Sequence, residues 1–311
     1  MINAIDIQNV TKTYAATKKT AAKLALDGVN LSIPKGSMFA LLGPNGAGKS
    51  TMINIMAGLV IKSAGQVAIN GYDIDRHPRS AKKSIGIVPQ EVTFDPFFTP
   101  RAVLELQAGL YGLSKSKRRT MEILDMVGLA DKADATARSL SGGMKRRLMV
   151  AKAMVHDPEI LVLDEPTAGV DIELRQQLWE NVKLLNEAGK TILLTTHYLE
   201  EAEQLCDRIA IINHGKVIMD EDKDTLMSRV DGKEITFRLD KEITQVPKQL
   251  DGFNARIEGK RRIVIGYRPA DVEVGEMIAA IQKSKHAIVD IMTDQSDLED
   301  VFLQLTRADN A

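Results

Sequence analysis

The sequence predicts an α/β protein built on a parallel sheet, followed by a smaller α+β unit. Over the first ~220 residues, short apolar runs alternate with patterns of helical spacing, which is typical of parallel strands joined by helices. No internal repeat with a period of about 20–50 residues is present, so the sequence does not predict a solenoid. Between residues 220 and 233 the sequence becomes polar, and strand and helix patterns then resume over a shorter length.

The composition excludes several classes of protein. The chain has 311 residues, which corresponds to two domains at about 150 residues each. Its 44% hydrophobic and 27% charged residues are ordinary for a globular protein and exclude a disordered or collagen-like chain. With 41 basic and 42 acidic residues the formal net charge is −1, so no general basic field favours nucleic acid as a partner. The single cysteine, Cys206, excludes an internal disulfide and a metal site with several cysteines, and it fits a reducing compartment.

Membrane-spanning and targeting patterns are not found in the sequence. No stretch approaches the roughly 18 consecutive apolar residues that a membrane-spanning helix needs. Residues 1–6 also lack the charged and apolar blocks of a signal peptide. We therefore expect a cytosolic chain, and a membrane function would need a span that a separate protein supplies.

The first unit is predicted to contain parallel strands and a helical insertion. The strands are apolar runs of buried-strand length, at residues 38–42, 85–88, 160–163, 192–195 and 209–212. A helix is expected from Lys49 to Gly58, directly after the first strand. Helical spacing dominates from about residue 95 to 155. A later helix presents one apolar face made of Leu174, Leu178, Val182 and Leu185.

The second unit, residues 231–311, is predicted to be a small α+β domain. Polar residues at 220–224 and 231–233 form the expected connection to it. Its predicted strands lie at 234–239, 262–265 and 287–292. One helix face is expected from Val274, Met277, Ile278 and Ile281. A last helix is predicted from the capping-box spacing of Ser296 and Glu299 and from an apolar stripe of Leu298, Val301, Phe302 and Leu305.

A phosphate-binding loop follows the strand at 38–42. Residues 43–50 match the pattern G-x-x-x-x-G-K-[ST] in full and lie between an apolar strand and a helix start, the context that this motif requires. They are Gly43, Pro44, Asn45, Gly46, Ala47, Gly48, Lys49 and Ser50, and Thr51 comes next. The glycines let backbone N–H groups face one point, and the helix N-terminus adds about half a positive charge. Lys49 can then reach the β- and γ-phosphates, and the Ser50 hydroxyl can ligate Mg²⁺. The alternative is a glycine-rich turn that only caps a helix.

Two carboxylates, Asp164 and Glu165, follow the strand at 160–163. Ligands gather at the carboxyl ends of parallel strands, which places Asp164 near Mg²⁺. Glu165 points in a different direction and can orient and deprotonate an attacking water as a general base. The alternative is a solvated acidic turn that leads into a helix.

Further motifs follow in order along about residues 4–220. Leu140 precedes Ser141, Gly142 and Gly143, about 20 residues before the acidic strand end; Gln90 follows Ile87-Val88-Pro89; Ala168-Gly169-Val170-Asp171 follows the carboxylates; and His197 follows Thr195-Thr196. In this order they resemble the signature, Q-loop, D-loop and switch histidine of the ABC ATPases, the nucleotide-binding subunits of ABC transporters. Tyr14 stands where that family places an aromatic residue that stacks on adenine. His197 alone would more often be an ordinary surface or core histidine.

The resemblance implies the fold and its division. It implies a P-loop NTPase with a RecA-like core, an antiparallel β subdomain and a helical subdomain at about 95–155. These together form a nucleotide-binding domain at residues 1–222. Residues 231–311 are expected to be an accessory or regulatory α+β domain. Our hypothesis is that it braces the dimer or has a regulatory role, and the alternatives for what it binds are a regulator or a small ligand.

The resemblance also implies a mechanism that two chains share. Two copies pair head to tail with two ATP molecules between them, and each ATP carries Mg²⁺. Glu165, His197 and Gln90 are the catalytic residues, and Ser50, Gln90 and Asp164 are the metal ligands. Ser141, Gly142 and Gly143 act on the nucleotide of the partner copy, and Asp171 contacts the phosphate loop of the partner copy.

Details of the signature are similar to the ABC-2 branch, in particular its bacterial subunits of the YadG type. Met144 replaces the usual glutamine and is followed by Lys145-Arg146-Arg147, and Leu298-Glu299-Asp300-Val301-Phe302 lies near the C-terminus. ATPases of this branch pair with separate six-span permeases, mostly for export of drugs, polysaccharides or lipid-linked glycans. The resemblance therefore implies a peripheral location on the cytoplasmic face of the plasma membrane, with no direct membrane span.

Alternative interpretations remain at three places. The whole chain could be a soluble ABC ATPase that acts on ribosomes or DNA without a permease. Tyr14 could simply pack at a strand end. Lys145-Arg146-Arg147 could contact phosphate or lipid headgroups, but a charged, solvated helix face is the expectation.

Overall fold

A computed structural model describes residues 3–16, 21–91, 93–167, 172–229, 233–267, 271–284 and 286–295. The chain divides into two compact units, Met1–Lys223 and Asp224–Ala311. The α/β fold class predicted from the sequence is confirmed.

The first unit contains two sheets and the helices that flank them. Its strands are β1 (Asn3–Tyr14), β2 (Lys23–Pro34), β3 (Met38–Leu42), β4 (Ala64–Ile69), β5 (Tyr72–Asp73), β6 (Ile85–Val88), β7 (Ile160–Asp164), β8 (Thr191–Thr196), β9 (Arg208–Asn213) and β10 (Lys216–Asp222). Its helices are α1 (Lys49–Met56), α2 (Pro78–Ser84), α3 (Pro100–Leu110), α4 (Thr120–Met126), α5 (Gly142–Met154), α6 (Ile172–Glu187) and α7 (Leu199–Leu205), and α8 (Lys223–Arg229) begins at the boundary of the units.

The central sheet has the strand order β10-β9-β3-β8-β7-β6, and all neighbouring pairs except β10 with β9 are parallel. Every residue of β3, β7 and β8 is buried, which explains why these strands are nearly continuous apolar runs in the sequence. Leu42 pairs with Thr196, and Asp164 pairs with Thr195. The strands that lead to the phosphate loop, to the two carboxylates and to His197 therefore end at the same edge of the sheet.

A second, antiparallel sheet has the order β2-β1-β4-β5. Ile5, Ile7 and Leu26 of this sheet share one buried core with Phe39 and Leu41 of β3. This sheet corresponds to the antiparallel β subdomain that the family resemblance implied. Helices α3, α4 and α5 lie between β6 and β7 in the chain, where helical spacing was predicted.

Two boundaries differ from the prediction. The expected polar connection from residue 220 is wrong, because 216–222 form β10 and 223–229 form α8. Charged residues are tolerated in β10 because it is an edge strand, and Asp220 accepts a hydrogen bond from Arg208 Nε at 2.7 Å. The first helix ends at Met56 and not at Gly58, whose φ of 68° is left-handed.

The second unit is built on an antiparallel sheet with the order β12-β13-β11-β14. Its elements are β11 (Lys233–Leu239), β12 (Asn254–Glu258), β13 (Arg262–Tyr267), α9 (Val274–Lys283) and β14 (Ile288–Gln295). Met277 and Ile281 of α9 pack in a separate core with Ile235, Phe237 and Ile265 of the sheet. The strand β12 was not predicted, and the predicted last helix from Ser296 lies outside the described residues.

Candidate functional site

The phosphate loop joins β3 to α1 in a conformation that requires glycine. Gly46 and Gly48 have φ values of 84° and 119°, which disfavour other residues. A Cβ on Gly43 would lie 2.3 Å from the carbonyl oxygen of Ile212, and one on Gly48 would lie 2.8 Å from that of Ala25. At Gly43 and Gly48 the loop backbone therefore packs too closely against the neighbouring strands to leave room for a Cβ, and α1 begins directly after the loop.

Lys49 is buried under this loop, with only 4% of its surface exposed. Its Nζ donates to the carbonyl oxygens of Gly43 at 2.6 Å and Pro44 at 3.3 Å, and lies 3.5 Å from Glu165 Oε1. Burial lowers the pKa of Lys49, and the charge of Glu165 opposes this shift. A buried ammonium beside a glycine loop and a helix N-terminus fits a phosphate anion, which would relieve the cost of burying the charge.

Asp164 and Glu165 are buried and point to different partners. Thr195 Oγ1 donates to Asp164 Oδ1 at 2.6 Å. The Glu165 backbone N–H donates to the Thr195 carbonyl oxygen at 3.0 Å, and its φ of 46° turns the chain after β7. This turn separates the two carboxylates, so that each can serve a different role.

Three side chains meet at the Glu165 carboxylate. Gln90 Nε2 donates to Glu165 Oε2 at 2.9 Å, and His197 Nδ1 lies 3.5 Å from the same oxygen. Lys49 approaches the other carboxylate oxygen from the phosphate loop. His197 follows β8 and is exposed, with its ring 4.1 Å from that of Tyr198. The site thus combines a carboxylate, an amide, an imidazole and an ammonium within hydrogen-bonding reach or close to it.

A cavity of about 290 Å³ lies beside these groups. It is lined by Tyr14, Lys23, Ala25, Pro44, Asn45, Gly46, Gly48, Lys49, Ser50, Thr51, Gln90 and Glu165. Tyr14 is 39% exposed at the end of β1, and Lys12 Nζ lies 4.9 Å from its ring centroid. The cavity has an exposed aromatic ring at one part of its wall and phosphate-loop donors at another, which suits a nucleotide.

The signature residues 141–143 lie at the N-terminus of α5. Ser141 is the N-cap of α5, where its Oγ accepts a hydrogen bond from Met144 N at 3.3 Å. Ser141 and Gly142 are exposed, and a Cβ on Gly142 would meet nothing within 4 Å. None of 141–143 lines the cavity beside the phosphate loop. Asp171, predicted to contact a partner copy, lies outside the described residues.

Comparisons with known proteins identify the family. A family model described as ABC transporter matches residues 26–168. The linearmycin resistance ATP-binding protein LnrL of Bacillus subtilis is 44% identical over 233 residues, which cover 74% of this chain and 73% of that protein. The chain is an ABC transporter ATPase.

Full-length and structural matches agree with this assignment. The Nod factor export ATP-binding protein I of Rhizobium sp. (strain N33) is 35% identical over 305 residues, covering 97% of both proteins. A dimeric ATP-binding cassette solved in a post-hydrolysis state with ADP and Pi matches with a TM-score of 0.63 and 31% identity, over 70% of this chain and 98% of that one. Within the described part of this ABC ATPase, no helix has the length and apolar character to cross a bilayer.

Two residues that contact the candidate site were not predicted. Thr195 donates to the Asp164 carboxylate and accepts from the Glu165 backbone N–H, and both contacts depend on the register of β8 beside β7. Arg146 is buried and donates through Nη1 to the carbonyl oxygens of Pro89 and Gln90. The expectation of a charged, solvated helix face is therefore wrong for Arg146. Its helical neighbours Gly143, Met149 and Val150, three and four positions away, are buried, and this apolar stripe was the available signal.

Proposed function

We propose that this chain is the ATP-hydrolysing subunit of an ABC-2-type membrane exporter. The observation that carries the proposal is the convergence of Gln90, His197 and Lys49 on the Glu165 carboxylate beside the phosphate loop. A carboxylate placed in this way can take the proton of a water that attacks the γ-phosphate.

The residues around the loop have separate roles. Backbone N–H groups of 43–50 and the Lys49 ammonium bind the triphosphate of ATP, and Tyr14 stacks on the adenine. Ser50, Gln90 and Asp164 supply a hydroxyl, an amide and a carboxylate oxygen. Among the residues that the structure covers, no group of three or more His, Cys, Asp or Glu side chains could hold a metal alone. This sparse oxygen set fits Mg²⁺, which binds to few protein ligands together with substrate phosphates.

The proposed working unit is a head-to-tail homodimer. The exposed N-terminus of α5, with Ser141 as its cap and open space around Gly142, is free to face an anion from another chain. Ser141, Gly142, Gly143 and Asp171 of one copy would then complete the site of its partner, with two ATP and two Mg²⁺ per dimer.

The proposed partner in the membrane is a separate ABC-2 permease. The relatives above are named for export and for resistance, which supports an exporter. We infer that the ATPase lies on the cytoplasmic face of the plasma membrane through this permease. No nucleic acid is expected as a partner, in keeping with the net charge of −1.

A test of the site uses Glu165→Gln with ATP and Mg²⁺. The amide cannot accept the water proton, so turnover should fall by ~10²–10⁴-fold while ATP still binds. Light scattering should show an ATP-dependent dimer, and this dimer should retain bound nucleotide. Near-normal turnover would refute the general-base role, and a monomer that loses nucleotide would refute the shared site.

A test of the transport assignment uses fractionation of cells. The exporter proposal predicts that the wild-type chain co-purifies with a polytopic membrane protein in mild detergent. Recovery with ribosomes in a salt-sensitive manner would instead favour a soluble ABC ATPase without a permease.

A further inference from the structure

We propose that Arg146 is a positioning residue that holds the Gln90 backbone and links the signature helix to the carboxylate of Glu165. The proposal rests on the roles proposed above for Gln90 and Glu165. It assigns to Arg146 a function in turnover, although this residue does not line the cavity beside the phosphate loop.

The contact is made from inside the protein. Arg146 is only 7% exposed, and its Nη1 donates to the carbonyl oxygens of Pro89 at 3.1 Å and Gln90 at 2.6 Å. These two carbonyls belong to the segment that leaves β6 and enters the site. The guanidinium therefore binds the backbone of this segment where the Gln90 side chain begins.

The guanidinium of Arg146 is a charged donor in a buried position. Burial lowers the pKa of Arg146, and the charge of Asp164 opposes this shift. Hydrogen bonds from a charged donor are roughly twice as strong as neutral ones. A guanidinium also presents its N–H groups in a rigid plane, so that it restricts direction as well as distance.

Gln90 carries this constraint to the reacting groups. Its carbonyl oxygen is held by Arg146, and its side-chain Nε2 donates to Glu165 Oε2 at 2.9 Å. Loss of the contact from Arg146 would let the Gln90 side-chain amide move away from the Glu165 carboxylate. Misplacement by about 1 Å from a change outside the reacting groups can cost ~100-fold in rate.

The next residue provides a matched contrast. Arg147 Nη1 donates to the carbonyl oxygens of Val127 at 3.0 Å and Gly128 at 3.3 Å, at the end of α4. Two consecutive arginines thus bind backbone carbonyls in two different places, one in the site and one in the helical insertion.

Ser141, at the start of the same helix, lies five residues or about 7.5 Å from Arg146 along the axis. A shift of the signature residues on engaging nucleotide would therefore be transmitted to Gln90.

The experiment is a double-mutant cycle on ATP turnover with Arg146→Met, Gln90→Ala and the pair. We expect Arg146→Met to lower kcat by about 10- to 100-fold with a much smaller change in KM for ATP, since the phosphate loop and Tyr14 are untouched. In the Gln90→Ala background the same change should cost less than about twofold, because the residue acts through Gln90. Arg147→Met is the control, and its effect should be the same in both backgrounds.

Other results would overturn the proposal. These are an unchanged kcat in Arg146→Met, a change confined to KM, or an Arg146 effect that persists in full without Gln90. If thermal unfolding shows that Arg146→Met is not folded, Arg146→Lys takes its place in the same cycle. This variant keeps the charge, so the expected loss of kcat is smaller. Glu165→Gln is measured in parallel: retained turnover there refutes the proposed function, whereas lost turnover with an additive Arg146 effect refutes only this inference.

Discussion

Glu165 has a backbone conformation that most residues avoid. Its φ of 46° lies in the left-handed region, which costs a residue with a Cβ about 1–2 kcal/mol. The conformation is held by the bond from its backbone N–H to Thr195 and directs the carboxylate toward Gln90. Strain of this kind is expected where a side chain must point into a site.

We predict that this strain can be measured by comparing Glu165→Gly with Glu165→Ala. Both variants remove the carboxylate, but only glycine relaxes at positive φ. The free energy of unfolding by urea should be about 1 kcal/mol higher for Glu165→Gly than for Glu165→Ala. Equal stability, or a more stable alanine variant, would show that the conformation is not strained.

At the scale of elements, one stacked pair joins three parts of the first unit. The rings of Tyr111, after α3, and His156, after α5, are 3.7 Å apart and nearly parallel at 5°. His156 Nε2 also lies 3.1 Å from the carbonyl oxygen of Ile85 at the start of β6. Burial lowers the pKa of His156, and its hydrogen bond to Ile85 opposes this shift.

We predict that His156 makes the folded protein less stable at acid pH. Below pH 6.5 the unfolded chain protonates His156 more readily than the folded protein, so stability falls as the pH falls toward the folded pKa. The slope is at most about 1.4 kcal/mol per pH unit. Urea unfolding at pH 7.5 and 5.5 should show a smaller loss for His156→Phe than for wild type. An equal loss in both proteins would contradict this.

Elements differed in how far the sequence could predict them. Strands β3 and β7 are buried on both faces, so their apolar runs identified them. Strand β1 is half-buried, and register shifts near Val10 and Lys12 break its alternation, so periodicity did not find it. The phosphate loop was evident because its glycines are required by local geometry. Thr195 and Arg146 were not, because their contacts depend on strand register and helix packing.

At the scale of the whole molecule, the two units have separate hydrophobic cores. One buried core draws on residues between 4 and 212, and another on residues between 235 and 281. Among the residues that the structure describes, those that line the cavity beside the phosphate loop belong to the first unit. We therefore expect the first unit to fold and to bind nucleotide without side chains of the second.

We predict that deletion of residues 231–311 leaves ATP binding intact. The shortened chain should unfold cooperatively, and its Kd for a fluorescent ATP analogue should stay within about twofold of wild type. The proposed bracing role predicts that ATP-dependent dimerisation of this variant is altered. Loss of ATP binding would contradict the independence of the site, and unchanged assembly and transport would contradict bracing.

Cys206 is the single cysteine of the chain and is buried, and burial raises the pKa of its thiol. A protonated, enclosed thiol reacts slowly with disulfide and maleimide reagents. A cysteine introduced at exposed Asn45 or Gly142 would therefore be the reactive one in the native protein. Cross-linking between an Asn45→Cys copy and a Gly142→Cys copy could then map the distance across an assembled pair without removing the natural thiol.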